Sequence, residues 1–176
     1  YPVDCFRQIL KEFQGILVID EAYADFAEQN ALPLLGEFSN LILTRTMSKS
    51  YSLAGLRVGY ALASPELVSI LDQAREVYNV DRLAQVAALA SLKDRTYFEQ
   101  TRDSIVKERE KFSLLLDEWG WKTCPSGANF LFTKPIDSKG RTGPKVATDL
   151  YDYLTSKNVL IRYFPQHELT SSYLRI

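Results

Sequence analysis

The most informative segment of the chain is residues 44–60, TRTMSKSYSLAGLRVGY, in which small hydroxyl residues surround a single lysine and an arginine follows. Lys49 has the apolar neighbours Met47 and Leu53, which indicate partial burial. Removal from water disfavours an ammonium ion and favours the neutral, nucleophilic amine. The segment therefore predicts a reactive lysine rather than a solvated surface charge.

Apolar runs on both sides of this lysine predict a sheet. Residues 15–20, GILVID, form a short β-branched run that is typical of a strand buried on both faces of a parallel sheet, with Asp20 at its end. Residues 41–46 and 58–63 predict two further strands. The separation of Asp20 from Lys49 suits one strand-helix-strand crossover. We therefore expect the strand ends to bring these two residues close together.

The rest of the chain predicts an α+β layer pattern, and the domain boundary is placed near residue 93. Residues 1–92 would then be part of a large domain, and residues 93–176 a small one. Helices are predicted after the cap-like Ser64, over residues 82–92 and 96–119, and from about 145 to 157. Further strands are predicted at 121–124, 129–133, 159–164 and 172–176, with a polar loop at 135–144.

Composition excludes several classes of protein. The 176 residues are 46% hydrophobic and 24% charged, which is typical of a globular domain. The 21 basic and 22 acidic residues give a net charge of -1, so no overall field attracts nucleic acid or a membrane. Cys5, Cys124 and the single His167 lack metal-ligand spacing, and free, partly buried thiols are expected. With no apolar run of about 20 residues and no signal peptide, a cytoplasmic location is expected.

The order of Ser48-Lys49, a short apolar segment and then Gly55-Leu56-Arg57 resembles the Schiff-base signature of fold type I aminotransferases of class I/II. The resemblance implies an α/β fold: the C-terminal part of a large domain with a parallel or mixed sheet, followed by a small α+β domain. It also implies that Lys49 carries pyridoxal 5'-phosphate as a Schiff base and moves protons. Ser48 and Arg57 would hold the cofactor phosphate, which suits a hydroxyl donor and a forked cation.

Residues 18–23, VIDEAY, resemble a second motif, found in the histidinol-phosphate aminotransferase family. By that resemblance, Asp20 pairs with the protonated pyridine nitrogen and lets the ring act as an electron sink. Tyr23 would hydrogen-bond the phenolic oxygen of the ring. Both motifs occur in the order that the family shows, and the likeness extends over essentially the whole chain.

Arg162 and Arg175 each lie within an apolar segment near the end of the chain. A buried arginine needs an anion, either from the protein or from a ligand. The family resemblance implies that Arg175 binds the carboxylate of glutamate or the phosphate of histidinol phosphate, with Arg162 assisting. A purely structural alternative is an ion pair of Arg175 with Glu168 or Asp152. Asn129 is a possible neighbour of the active site.

The activity implied by the resemblance is transfer of an amino group from histidinol phosphate to 2-oxoglutarate, giving imidazole acetol phosphate and glutamate in histidine biosynthesis. The partners would be a small-molecule amino donor and a 2-oxo acid acceptor. We expect a natural protein about twice as long that works as a homodimer, with weak cofactor binding by this chain alone. Alternatives are an aromatic or broad-range aminotransferase, a threonine-phosphate decarboxylase, or a regulator domain that uses the same fold.

Overall fold

The structure, a computed structural model, describes residues 1–176 and consists of two compact units, Tyr1–Asp103 and Ser104–Ile176. The division lies within a long helix, α4 (Arg95–Glu118 in chain order), rather than near residue 93. The first turns of that helix belong to the first unit because Phe98 is buried and its ring stacks on Tyr51, with 4.5 Å between the ring centroids.

The first unit is built on a three-stranded mixed sheet formed by β1 (Leu17–Asp20), β2 (Leu41–Thr46) and β3 (Gly59–Ala63), in that order. β1 and β2 are parallel, whereas β3 is antiparallel to β2 and places Gly59 opposite Thr46. The carboxyl ends of β1 and β2 therefore meet at one edge of the sheet, beside the start of β3. The three predicted strands are confirmed.

One face of this sheet packs on the core. Leu41 and Leu43 of β2 are fully buried together with Leu34, and Leu10 of helix α1 (Val3–Glu12) joins them. The prediction that the first strand is buried on both faces is wrong for this chain, because Val18 is 56% exposed. Successive side chains of a strand point to opposite faces, so Val18 lies on the face away from this core.

The connection from β1 to β2 differs from the predicted crossover helix. It contains two short 3-10 helices, Ala24–Phe26 and Leu32–Gly36, and no α-helix. The second of these helices has Pro33 in its first turn, where proline is tolerated, and it ends at Gly36, a residue that disfavours continuation of a helix.

Two helices follow β3, and both begin at side-chain caps. In α2 (Pro65–Ala74) the Ser64 hydroxyl accepts a hydrogen bond from the backbone N–H of Leu67 at 3.5 Å. In α3 (Arg82–Lys93) the Asp81 carboxylate accepts from the N–H of Ala84 at 3.0 Å. Both predicted helices are confirmed, and serine and aspartate are among the preferred N-cap residues.

The second unit is built on four short strands, β4 (Lys122–Thr123), β5 (Phe132–Lys134), β6 (Arg162–Tyr163) and β7 (Leu174–Arg175). They form an antiparallel sheet with the order β4-β5-β7-β6. Helix α5 (Pro144–Ser156) lies in sequence between β5 and β6, close to its predicted position. Leu116, Leu131, Ala147 and Leu174 are buried in this unit. All four strands of this sheet are shorter than predicted.

Cys5 and Cys124 are both free, as predicted, but the expected partial burial holds only for Cys124, because Cys5 is exposed. None of the helices combines the length and the hydropathy that a membrane span requires.

Candidate active site

A cavity of about 370 Å³ lies at the edge of the first sheet where β1 and β2 end. This volume falls within the range of about 300–1,000 Å³ that is usual for small-molecule sites. The structure brings Asp20, Ser48, Lys49 and Arg57 together here, four of the five residues predicted to hold a cofactor. The complete lining is Asp20, Ala22, Thr44, Arg45, Thr46, Ser48, Lys49, Ala54 and Arg57.

Asp20 is the last residue of β1, and Tyr23 lies on the turn that follows. The Asp20 carboxylate accepts a hydrogen bond from the backbone N–H of Ala22 at 2.9 Å and is exposed to solvent. Tyr23 precedes the 3-10 helix Ala24–Phe26, and its ring centroid lies 5.5 Å from the Nζ of Lys49. Such a distance is typical of a cation–π contact. Tyr23, the fifth predicted cofactor residue, is therefore next to the lysine.

Lys49 and Ser48 lie in the turn after β2. Met47, which is 2% exposed, anchors this turn in the protein interior, while Ser48 and Lys49 are half-buried. The Ser48 hydroxyl accepts a hydrogen bond from the Thr46 hydroxyl at 2.9 Å, and the Ser48 N–H donates to the same Thr46 oxygen at 3.1 Å. These bonds hold the Ser48 hydroxyl at the cavity.

Arg57 is in the left-handed backbone conformation, with φ of 54° and ψ of 42°. This conformation costs about 1–3 kcal/mol for a residue other than glycine, and such strain is concentrated at functional sites. Its guanidinium donates to the Ala54 carbonyl at 2.9 Å, and no carboxylate forms an ion pair with it. The remaining N–H groups of Arg57 are therefore available to an anion in the cavity.

A buried ionic network behind this cavity was not predicted from the sequence. Arg45 donates to the Glu21 carboxylate at 2.7 and 3.0 Å, and its Nη1 lies 3.8 Å from the Asp25 carboxylate. The Ser50 hydroxyl donates to Asp25, and Glu21 also accepts from the N–H of Ala31 at 2.5 Å. An arginine within an apolar strand was the available signal, since such a charge requires a partner.

The guanidinium of Arg45 responds to this network. Burial disfavours its charged form, but the hydrogen bonds to Glu21 and the charges of Glu21 and Asp25 outweigh burial and raise the pKa of Arg45 above its ordinary value. Arg45 therefore stays charged and paired, although it lines the cavity.

Arg162 and Arg175 lie in the second unit, and neither is among the residues that line this cavity. They occupy opposite positions on β6 and β7. The Arg175 guanidinium lies 5.0 Å from the Phe130 ring centroid and 5.7 Å from that of Phe164. The premise that both arginines are buried is wrong for Arg162, because β6 is the edge strand of its sheet and the residue is exposed.

Arg175 forms no ion pair with Glu168 or Asp152, so the prediction that such a pair is its purely structural role is wrong. Asn129 lines a different cavity, of about 800 Å³, within the second unit. Its predicted position beside the active site stays a prediction.

The chain belongs to the family of class I and II aminotransferases, whose model matches residues 1–176. Among its relatives, the histidinol-phosphate aminotransferase of Syntrophotalea carbinolica is 43% identical over 164 residues, which are 93% of this chain and 45% of that protein. The histidinol-phosphate aminotransferase of Synechocystis is 42% identical over 96% of this chain and 46% of its own length. The chain thus spans less than half the length of these curated relatives.

Solved structures show the same fold. One is the histidinol-phosphate aminotransferase of Sinorhizobium meliloti, crystallised in complex with pyridoxal-5'-phosphate. The match covers all of this chain and 48% of that protein's chain, with a TM-score of 0.85 and 27% identity. The L-threonine-O-3-phosphate decarboxylase of Porphyromonas gingivalis matches all of this chain with a TM-score of 0.81 and 24% identity, which shows the fold alone. The predicted fold class, part of a fold type I α/β transferase, is confirmed.

Proposed function

We propose that this chain is the cofactor-holding part of a pyridoxal-phosphate-dependent aminotransferase that transfers the amino group of histidinol phosphate to 2-oxoglutarate. The observation that carries the proposal is the single cavity that is shared by Asp20, Ser48, Lys49 and Arg57. The names of the relatives at 42% and 43% identity favour this activity over the other members of the family.

The groups in the cavity fit pyridoxal phosphate. Three hydroxyl side chains and three cations line it, and one of those cations, Arg45, is already paired with Glu21. Lys49 and Arg57 form no ion pair, so an amine and a guanidinium are free to meet an aldehyde and a phosphate. The Asp20 carboxylate, on the same cavity, can accept from a protonated ring nitrogen.

When bound, pyridoxal phosphate supplies an electron sink for reactions at the α carbon of an amino acid. Asp20 would keep the proton on the ring nitrogen, and the Tyr23 hydroxyl would orient the ring through its phenolic oxygen. Ser48 and Arg57 would hold the phosphate through charge-assisted hydrogen bonds. The Nζ of Lys49 would attach the cofactor and serve as the general acid and base for the α proton.

Arg175 and Arg162 would bind the anionic group of each substrate. Their guanidinium groups extend from opposite positions of two antiparallel strands, where like charges repel each other. A phosphate or carboxylate placed between them would offset that repulsion. Such a site suits an amino donor that carries a phosphate and an acceptor that carries a second carboxylate.

We also propose that the activity belongs to a longer protein that works as a homodimer in the cytoplasm. The greater length of the relatives supports the first part of this proposal. Dimerisation and location rest on the family resemblance.

The test of the cofactor site is an absorption spectrum of the chain with added pyridoxal phosphate, before and after borohydride reduction, followed by peptide mass spectrometry. We expect one reducible adduct, located at Lys49, and its loss in Lys49→Ala. The exposed Lys93 at the end of α3 provides the matched control, Lys93→Ala, which should retain the adduct. A specific adduct that persists in Lys49→Ala would refute the assignment.

The test of the substrate is a comparison of kcat/KM for histidinol phosphate and for phenylalanine in the full-length protein. We expect a preference for histidinol phosphate that is lost in Arg175→Gln. A preference for phenylalanine would assign the chain to an aromatic aminotransferase, and release of CO₂ from threonine phosphate would assign it to a decarboxylase.

A further inference from the structure

Two polar bridges connect the segment around Lys49 to the segment that runs from Asp20, at the end of β1, past Tyr23. In the first, Arg45 on β2 binds Glu21, the residue that follows Asp20. In the second, the Ser50 hydroxyl donates to Asp25, which lies in the 3-10 helix that Tyr23 precedes.

The two bridges meet at Arg45, whose Nη1 lies 3.8 Å from Asp25. They form one connected array of Ser50, Asp25, Arg45 and Glu21, which we call the clamp. Its two ends are each one residue away from a predicted cofactor residue, Lys49 at one end and Asp20 at the other.

The clamp is largely shielded from water. Ser50 is 2% exposed, and the side chains of Glu21, Arg45 and Asp25 are 6%, 14% and 22% exposed. Interactions between charged groups are stronger when solvent is excluded, and a buried ion pair is disrupted strongly when one partner is removed. The clamp therefore holds its two segments in one arrangement rather than adding a surface contact that solvent would screen.

Lys49 itself has little that fixes its amine. Its side chain makes a cation–π contact with Tyr23 at 5.5 Å, and it forms no ion pair. A lysine side chain has a long, flexible stem. The backbone on either side therefore limits the region that the Nζ can reach, and Met47 anchors that backbone before Lys49 and Ser50 after it.

We propose that the clamp is a positioning device that sets the Nζ of Lys49 against Asp20 and Tyr23, and so controls the rate at which the amine captures pyridoxal phosphate. This inference rests on the function proposed above. Glu21, Asp25 and Ser50 are not among the residues that line the cavity, and they act through Lys49, Asp20 and Tyr23.

The experiment measures the rate of adduct formation between the full-length protein and pyridoxal phosphate in three variants. Ser50→Ala removes the donor, and Asp25→Ala removes the acceptor and its charge. Asp25→Asn removes the charge but keeps an oxygen that accepts from Ser50. We expect the first two to slow capture at Lys49 at least about tenfold, because a small misplacement of a reacting group costs up to about 100-fold. Asp25→Asn should slow capture about threefold, less than Asp25→Ala does, because it loses the charge beside Arg45 but keeps the bond to Ser50.

The matched control is Asp72 on α2, which also forms an ion pair with an arginine, Arg75, but lies on an exposed surface. Asp72→Ala and Asp72→Asn should both capture the cofactor at the wild-type rate. Thermal unfolding of every variant establishes that it is folded. If Asp25→Ala does not fold, Ser50→Ala, which removes only one oxygen, is the variant that tests the clamp.

The outcomes distinguish failure of the clamp from failure of the proposed function. Capture at Lys49 at the wild-type rate in both Ser50→Ala and Asp25→Ala would overturn the clamp and leave the cofactor site standing. Equal slowing in Asp25→Asn and Asp25→Ala, together with capture at the wild-type rate in Ser50→Ala, would also overturn it, since only the charge beside Arg45 would then matter and Ser50 would not connect Lys49 to the array. Absence of any Lys49 adduct in the wild type would refute the cofactor site first, and the clamp with it.

Discussion

Arg162 on β6 and Arg175 on β7 lie directly opposite each other in the antiparallel sheet of the second unit, and neither forms an ion pair. Opposite residues of antiparallel strands extend to the same face, where like charges are destabilising. The Arg175 guanidinium contacts the phenyl rings of Phe130 and Phe164, and no carboxylate is paired with it. This pair of strands therefore carries an uncompensated positive charge.

Inorganic phosphate should stabilise the chain through this pair of arginines. A ligand at ten times its Kd contributes about 1.4 kcal/mol, which a thermal melt detects. Arg175→Gln should lose a part of the phosphate-induced rise in Tm, and the part that remains would come from the cavity of the first unit. Arg141→Gln, which removes a guanidinium paired with Asp137, is the control and should keep the full effect. A full effect in Arg175→Gln would contradict anion binding at this pair.

Gly59 has no room for a side chain, because an added Cβ would lie 2.9 Å from the backbone oxygen of Arg45. Gly59→Ala should force β2 and β3 apart and lower the free energy of unfolding by about 1–3 kcal/mol, the usual cost of overpacking. Urea denaturation measures the change. Gly55→Ala is the matched control, since nothing lies within 4 Å of its added Cβ, and its stability should stay within about 0.5 kcal/mol of wild type. Equal stability of the two variants would contradict the close approach.

Tyr51 should make the chain less stable at alkaline pH. Burial raises the pKa of its phenol, and the charge of Asp25 raises it further. Because the folded pKa lies above the unfolded value of about 10, the stabilisation is fully present below pH 10 and is lost as the pH rises through the folded pKa. Tyr51→Phe keeps the ring that stacks on Phe98 but cannot ionise.

Urea denaturation at several pH values between 8 and 11 tests this expectation. The stability of wild type should fall more steeply than that of Tyr51→Phe above about pH 10. Tyr97→Phe, at a ring that is 60% exposed, is the control and should follow the wild-type profile. Parallel profiles for wild type and Tyr51→Phe would show that the phenol does not contribute.

Much of the site could be predicted from motifs. The resemblance of the segments around Asp20, Lys49 and Arg57 to the aminotransferase motifs implied one cofactor site, and these residues line one cavity together. The clamp could not be predicted, because Arg45 meets Glu21 across 24 positions of the chain and Ser50 meets Asp25 across 25. No local pattern specifies which carboxylate will face an arginine on a neighbouring strand. Helix α1 was likewise missed, and no side chain forms a hydrogen bond to cap its start.

The strands around Lys49, the helices that begin after Ser64 and Asp81, and the family of the chain could all be predicted from the amino-acid sequence. These features depend on residues a few positions apart or on the order of a motif, and both can be found along the chain. The exposure of Val18, the pairing of Arg162 with Arg175 and the connection of Lys49 to Asp20 through the clamp became evident from the three-dimensional structure. Burial and ion pairing depend on which elements pack together, and residues that meet in this way lie far apart along the chain.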